Sequence, residues 1–160
     1  MTSREGMIIE RRQRSVAVPP ERLFAEIERI GGRAGWPYGN LLWRVRGLLD
    51  RLVGGVGMRL GRRSPDELRI GDALDFWRVE AVERPSLLRL RAEMRVPGRA
   101  WLQYEVTPRA GGSRIVQTAF FEPKGLPGLA YWYVLYPIHG LIFRGMVRRI
   151  ADRARQRDQA

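Results

Sequence analysis

The sequence of 160 residues contains no cysteine, one histidine (His139) and one lysine (Lys124). Without cysteine there is no disulfide framework, no thiolate nucleophile and no Cys-bearing zinc or iron–sulfur site, and one histidine cannot build a poly-His metal centre. The missing thiols suit a reducing compartment but also suit many exported proteins, so they discriminate weakly. The first fourteen residues carry Arg4, Glu5, Glu10, Arg11, Arg12 and Arg14 and no apolar core of seven or more. That pattern is not a secretory signal, and it sets the cytoplasm as the expected location. Ser3, Ser15, Ser64, Ser86 and Ser113 lie in no nucleophile-elbow context, so catalysis has no strong signature.

What is present is an ordinary hydrophobic content of 44% and a large basic excess, 29 Lys plus Arg against 17 Asp plus Glu. A chain of this length is expected to fold as one domain over residues 1–160, with a core of about 8–152 and a basic C-terminal tail at 153–160.

Short β-branched runs over Met7–Val18 predict an edge strand, and Pro19-Pro20-Glu21 opens a helix of roughly 20–30 in which Leu23, Phe24, Ile27 and Ile30 recur at helical spacing. A turn-rich loop, 31–39, leads to Asn40 as an N-cap. The next helix carries Leu41, Val45, Leu48 and Leu52 as its apolar stripe, widened by Leu42, Leu49 and Val53, and stops at Gly54-Gly55. From Leu74 to Pro123 the period becomes two, with turn signals every ten to fourteen residues. Four antiparallel strands follow: Leu74–Glu83, Leu87–Val96, Arg99–Thr107 and Arg114–Glu122. Leu129, Trp132, Tyr136, His139, Phe143, Met146 and Ile150 then step by three and four through a long helix, Leu129–Gln156, which Pro137 is expected to kink.

The order predicts an α+β fold: a curved antiparallel sheet wrapped around a long C-terminal helix, with two shorter helices after the first strand. Between sheet and helix a wedge either fills with side chains or stays open for an apolar ligand. The candidate ligand contacts are Trp36 and Tyr38 on the loop, Asp75, Trp77, Tyr104, Gln117 and Phe121 on the strands, and Trp132, Tyr136, His139 and Phe143 on the last helix. Tyr38, Asp75, Gln117 and His139 would orient such a ligand. Each competes with a plain packing role: His139 as a neutral core imidazole, the aromatics as core, Asp75 as the partner of an arginine.

The glycine run Gly55-Val56-Gly57-Met58-Arg59-Leu60-Gly61 is a poor dinucleotide fingerprint, since its third glycine arrives one residue late and it follows a helix instead of a strand. No cofactor and no metal is expected. The nineteen residues Gly125–Phe143 lack an ionised side chain, yet Pro127, Pro137 and the 3.6-residue stripe argue against a membrane span. The arginines are dispersed and no recognition helix or aromatic RNA-binding motif is visible, so specific nucleic-acid binding is not expected. Peripheral contact with an anionic membrane is the more plausible use of the charge.

Three segments, GGRAGWPYGNLLWRVRGLLDRLVGG (31–55), LRIGDALDFWRVE (68–80) and FFEPKGLPGLAYWYVLYPIHGLIFRGM (120–146), together with the order of elements, resemble the helix-grip superfamily of START-like, polyketide-cyclase-like and pollen-allergen-like domains. Within it they look like an uncharacterised bacterial domain family often fused behind an NAD(P)-binding, epimerase-like Rossmann domain. The resemblance implies a helix-grip fold and an apolar cavity for a small hydrophobic or amphipathic molecule. It leaves open a cyclase, aromatase or hydratase acting on a polyketide-like substrate, and a module that docks on a separate Rossmann-domain partner.

Overall fold

Strict alternation decides the sheet. Leu88 and Leu90 are buried while Arg89 and Arg91 face solvent, and the neighbouring strands repeat the pattern. The computed structural model describes residues 2–4, 6–31, 35–52, 54–57 and 62–159. Gly32–Ala34, Val53, Met58–Gly61 of the glycine run and the capping side chain of Asn40 lie outside the described residues.

The elements run β1 (Thr2–Arg4), β2 (Met7–Val16), α1 (Pro20–Glu28), α2 (Asn40–Leu52), β3 (Ala73–Leu74), β4 (Trp77–Glu83), β5 (Leu87–Ala92), β6 (Gly98–Arg109), β7 (Gly112–Pro123) and α3 (Gly125–Asp158). All strands form one antiparallel sheet in the order β1-β2-β7-β6-β5-β4-β3. The N-terminal β2 therefore closes on the last strand, and the hairpins from β4 to β7 form the rest. Residues paired across the sheet share a face: Glu10, Ala119, Leu102, Leu90 and Val79 form one row, and Arg12, Gln117, Tyr104 and Leu88 the next.

α3 covers that face with Trp132, Phe143, Met146, Val147, Ile150 and Ala154 buried, and α1 adds Leu23, Phe24 and Ile27. Full burial of side chains of this size contributes about 1.5–3 kcal/mol each. On the opposite face Arg78 pairs with Glu93 at 2.9 Å, Arg99 with Glu122 at 2.6 Å, and Arg89 donates to Gln103 at 2.7 Å, so part of the basic excess lies on the outer strands.

Five expectations change. β2, expected at the sheet edge, lies between β7 and the short β1, which pairs with Met7–Ile9 and takes the edge itself. The strand expected at Leu74–Glu83 is interrupted because Asp75 adopts φ +55°, a turn conformation that Asp tolerates, and a bulge between Val79 and Ala81 shifts the register. The second strand ends at Ala92, where Glu93 turns to donate its N–H to the Phe76 carbonyl at 2.8 Å. The supposed tail is the end of α3, which runs through Pro137 to Asp158 and buries Ala154.

The largest change is α2. Its leucine–valine stripe faces solvent, and the helix buries Trp43, Gly47 and Asp50 instead. The Asp50 carboxylate is the reason: its Oδ1 accepts the Arg95 N–H at 2.7 Å and its Oδ2 the Gly57 N–H at 2.9 Å, so the polar side of the helix is the one fastened inward.

Candidate functional site

One cavity, of about 60 Å³, lies between the concave face of the sheet, the N-terminal half of α3 and α2. α2 contributes Trp43 and Arg46, β4 contributes Trp77, and the β5–β6 connection contributes Met94 and Val96. Ala100 to Leu102 of β6 and Ala119 to Phe121 of β7 form the floor, and Tyr131, Trp132, His139 and Phe143 of α3 close it. Helical spacing explains the last group, since Trp132, His139 and Phe143 lie within three turns on one side of α3.

The walls are aromatic and in mutual contact. Trp132 stacks on Phe121 with ring centroids 5.3 Å apart, His139 stacks on Phe143 at 5.5 Å, and His139 tilts against Trp132 at 5.6 Å. Four lining nitrogens are buried without a hydrogen-bond partner in the protein: the indole Nε1 of Trp43, Trp77 and Trp132, and His139 Nδ1. Buried polar groups in folded proteins are nearly always paired, so four around one apolar space is a departure that asks for a cause. Trp36 supplies the contrast: its Nε1 donates to Asp75 Oδ2 at 2.9 Å.

Arg46 sits at the mouth. Its Nη2 donates to the Tyr131 hydroxyl at 3.3 Å and to the Arg95 carbonyl at 3.4 Å, with the guanidinium 6.0 Å from the Tyr131 ring centroid. Burial, and secondarily the positive charge of Arg46, push the His139 imidazole down to about 4, so it is neutral at physiological pH. The lining residues include no carboxylate.

Further along the same face lies a polar patch. Gln117 and Tyr104 stand opposite each other, two residues along their strands from the cavity-lining Ala119 and Leu102. Both amide atoms of Gln117 and the Tyr104 hydroxyl are buried without a partner, and burial pushes the Tyr104 phenol up. Glu10 pairs with Arg12 beneath Gly140, keeping Oε2 unpartnered; burial raises its pKa, opposed by the Arg12 charge.

The structure thus brings Trp77, Phe121, Trp132, His139 and Phe143 together around the cavity. Tyr104 and Gln117 lie on the same sheet face beyond it, and Tyr136 packs beside Trp132 with centroids 6.4 Å apart. Trp36 and Asp75 bond to each other, and Trp36 packs against Trp43, Phe76 and Trp77. Tyr38 docks on the C-terminal half of α3, over Gly145. Sequence reasoning missed Trp43, Arg46 and Tyr131. The available signal was that Trp43, Gly47 and Asp50 recur at helical spacing, a face opposite the leucines.

Gly145 makes the Tyr38 seat, because a Cβ there would stand 2.3 Å from the ring. Gly145→Val is expected to displace Tyr38 and lower stability by about 1–3 kcal/mol, as overpacking does. A denaturant titration that matches wild type would show that the loop repacks without strain.

Larger spaces among the described residues are open grooves: about 760 Å³ among Arg14, Arg109, Arg114 and Arg155, about 460 Å³ beside Tyr38, Leu141, Arg144 and Arg148, and about 320 Å³ on the outer face beside Glu80, Arg89 and Trp101. Their size does not outweigh the four buried, unpartnered nitrogens of the smaller cavity.

The family model described as "Protein of unknown function (DUF2867)" matches residues 7–146. No curated protein matches the chain. Among solved structures, a point mutant of norcoclaurine synthase from Thalictrum flavum in complex with a transition-state analogue superposes with a TM-score of 0.59 at 12% identity, covering 95% of this chain and 96% of that one. The di-domain aromatase/cyclase StfQ of the steffimycin biosynthetic pathway gives 0.56 at 10% identity, covering 96% of this chain and 52% of StfQ. Protein CV1439 from Chromobacterium violaceum gives 0.53 at 13% identity, covering 91% and 96%. At such identities the likeness establishes the architecture, which is the helix-grip fold.

Proposed function

The chain belongs to the DUF2867 family, and from the chemistry of its cavity we propose that it binds a small, mostly apolar molecule carrying a hydrogen-bond acceptor. One observation carries this reading: three indole N–H donors and His139 Nδ1, buried and unpartnered, belong to side chains that line one space, which apart from Arg46 is walled by apolar and aromatic side chains. An unmet buried donor costs about 1–3 kcal/mol, so an acceptor presented there is favoured by a comparable amount. The aromatic walls supply apolar burial at about 25 cal/mol per Å².

The volume of about 60 Å³ accommodates only a fragment of a ring-sized ligand, so entry requires a wall to move. Arg46 is the movable part, held at the mouth by two long hydrogen bonds of 3.3 and 3.4 Å and by a 4.0 Å ion pair with Asp50. Binding is favoured over catalysis because His139 has no carboxylate beside it in the lining with which to exchange a proton.

The five tryptophans provide the test. Titrating the protein with phenols and aryl ketones while recording the indole N–H resonances should move the signals of Trp43, Trp77 and Trp132 and leave that of Trp36, which is held by Asp75. Native mass spectrometry of freshly purified protein should show a bound small molecule. A protein that purifies empty, with no indole signal moved by any probe, would refute the proposal.

A further inference from the structure

Among the described residues, the exposed large hydrophobic side chains are concentrated on two helices. Six are on α2, six are on the N-terminal half of α3, and Ile70 is the one other. On α2 they form the entire outward arc: Leu41, Leu42, Val45, Leu48, Leu49 and Leu52, with Leu41 71% and Leu52 76% exposed. At 3.6 residues per turn Arg44 and Arg51 fall along one edge of that arc and Arg46 along the other. The outward ridge of α3 continues the theme, running through Leu126, Val134 and Leu141 and then changing to Arg144 and Arg148.

The exposed charge that these two helix stretches themselves carry has one sign. Asp50, the only carboxylate of α2, is 1% exposed, and α3 carries none between Gly125 and Ala151. A second copy docked on the same face would set arginine against arginine with no acid to pair them. An arc made of aliphatic side chains alone also offers a protein partner none of the Trp or Tyr anchors that concentrate interface energy. A surface that is fluid, apolar inside and negatively charged outside complements it in both respects. No described helix is long and apolar enough to cross a bilayer, so the helix would lie in the interface plane.

We propose that α2 is a membrane-contact helix, whose outward leucine–valine arc enters the boundary between headgroups and acyl chains of an anionic bilayer while Arg44 and Arg51 engage lipid phosphates. Arg46 and Tyr131 join α2 to α3 at the cavity mouth, so docking sets the mouth beside the lipid surface. The proposal does not rest on the ligand reading, because partition into vesicles is measured without added ligand.

The experiment is co-sedimentation with vesicles of phosphatidylcholine, with and without about one third phosphatidylglycerol. The expected result is binding about tenfold or more tighter to the anionic vesicles, weakened by 0.5 M salt. The double substitution Leu48→Glu and Leu52→Glu, at outward positions, should lower the partition about tenfold or more while leaving the melting temperature and circular dichroism unchanged. Arg44→Glu should lower it several-fold without touching the apolar arc. Equal or absent partition on both vesicles overturns the proposal, as does a partition that the double substitution leaves intact. A dimer in sedimentation that the same substitutions dissolve, with no vesicle binding, also overturns it and assigns the face to a second copy.

Discussion

Asp50→Ala is expected to destabilise the protein by about 3–5 kcal/mol, since two backbone donors, one buried and one partly buried, lose a charged acceptor together. Those donors belong to distant segments, Arg95 N–H at 2.7 Å and Gly57 N–H at 2.9 Å, so one carboxylate ties α2 to the β5–β6 connection and to the loop that follows the helix. The packing leaves no room for a substitute: a Cβ on Gly55 would fall 2.2 Å from Asp50 Oδ2. Asp50→Asn retains one acceptor but turns an amide donor toward a second donor, so a large part of the loss should remain. For a domain of this size the Ala variant should melt about 6–20 °C lower. A melt within a degree or two of wild type would mean that the two N–H groups find other acceptors. The loss should also reach the site, because Trp43 and Arg46 ride on the helix that Asp50 holds. Amide exchange in α2 is therefore expected to accelerate more than exchange in β6 and β7.

The same residue explains what the sequence conveyed and what it did not. Alternation in Leu87–Ala92 and the three-four stepping of α3 determine both the elements and their inward faces, because in each the apolar side chains have a sheet or helix to cover. His139 and Trp132 acquire their place in the cavity from that stepping alone. In α2 the periodicity is as regular, but a stripe shows only that two faces differ, not which one is covered. The inward choice depends on Asp50 meeting N–H groups at 57 and 95, up to 45 residues away, which no local pattern encodes. Trp43 and Arg46 were hidden for the same reason. Asp75 is a second case: alternation places it with Trp77, whereas a positive φ turns it to the Trp36 indole 39 residues back.

Acidification is expected to destabilise the wild-type protein by up to about 3 kcal/mol between pH 6.5 and 4 through His139 alone. The sign follows from the two states. Burial, with the Arg46 charge second, holds the folded imidazole down to about 4, whereas the unfolded one titrates near its ordinary value of about 6.5. As pH falls through that window the unfolded chain takes up a proton the folded chain refuses, so stability is fully present above about 6.5 and lost toward 4. Glu10 and Glu26, whose pKa values burial raises, act in the opposite sense, so wild type alone does not isolate the effect. The comparison with His139→Phe does, because the carboxylates are common to both. Urea titrations from pH 7 to 4 should therefore give two stability curves that converge as the pH falls, or cross if the variant begins only slightly weaker. Parallel curves would mean that the ring reaches solvent and never resisted protonation. Protonation also places a second cation near Arg46, whose hydrogen bonds to Tyr131 and the Arg95 carbonyl close the mouth, so opening of the cavity and loss of stability should follow the same pH dependence.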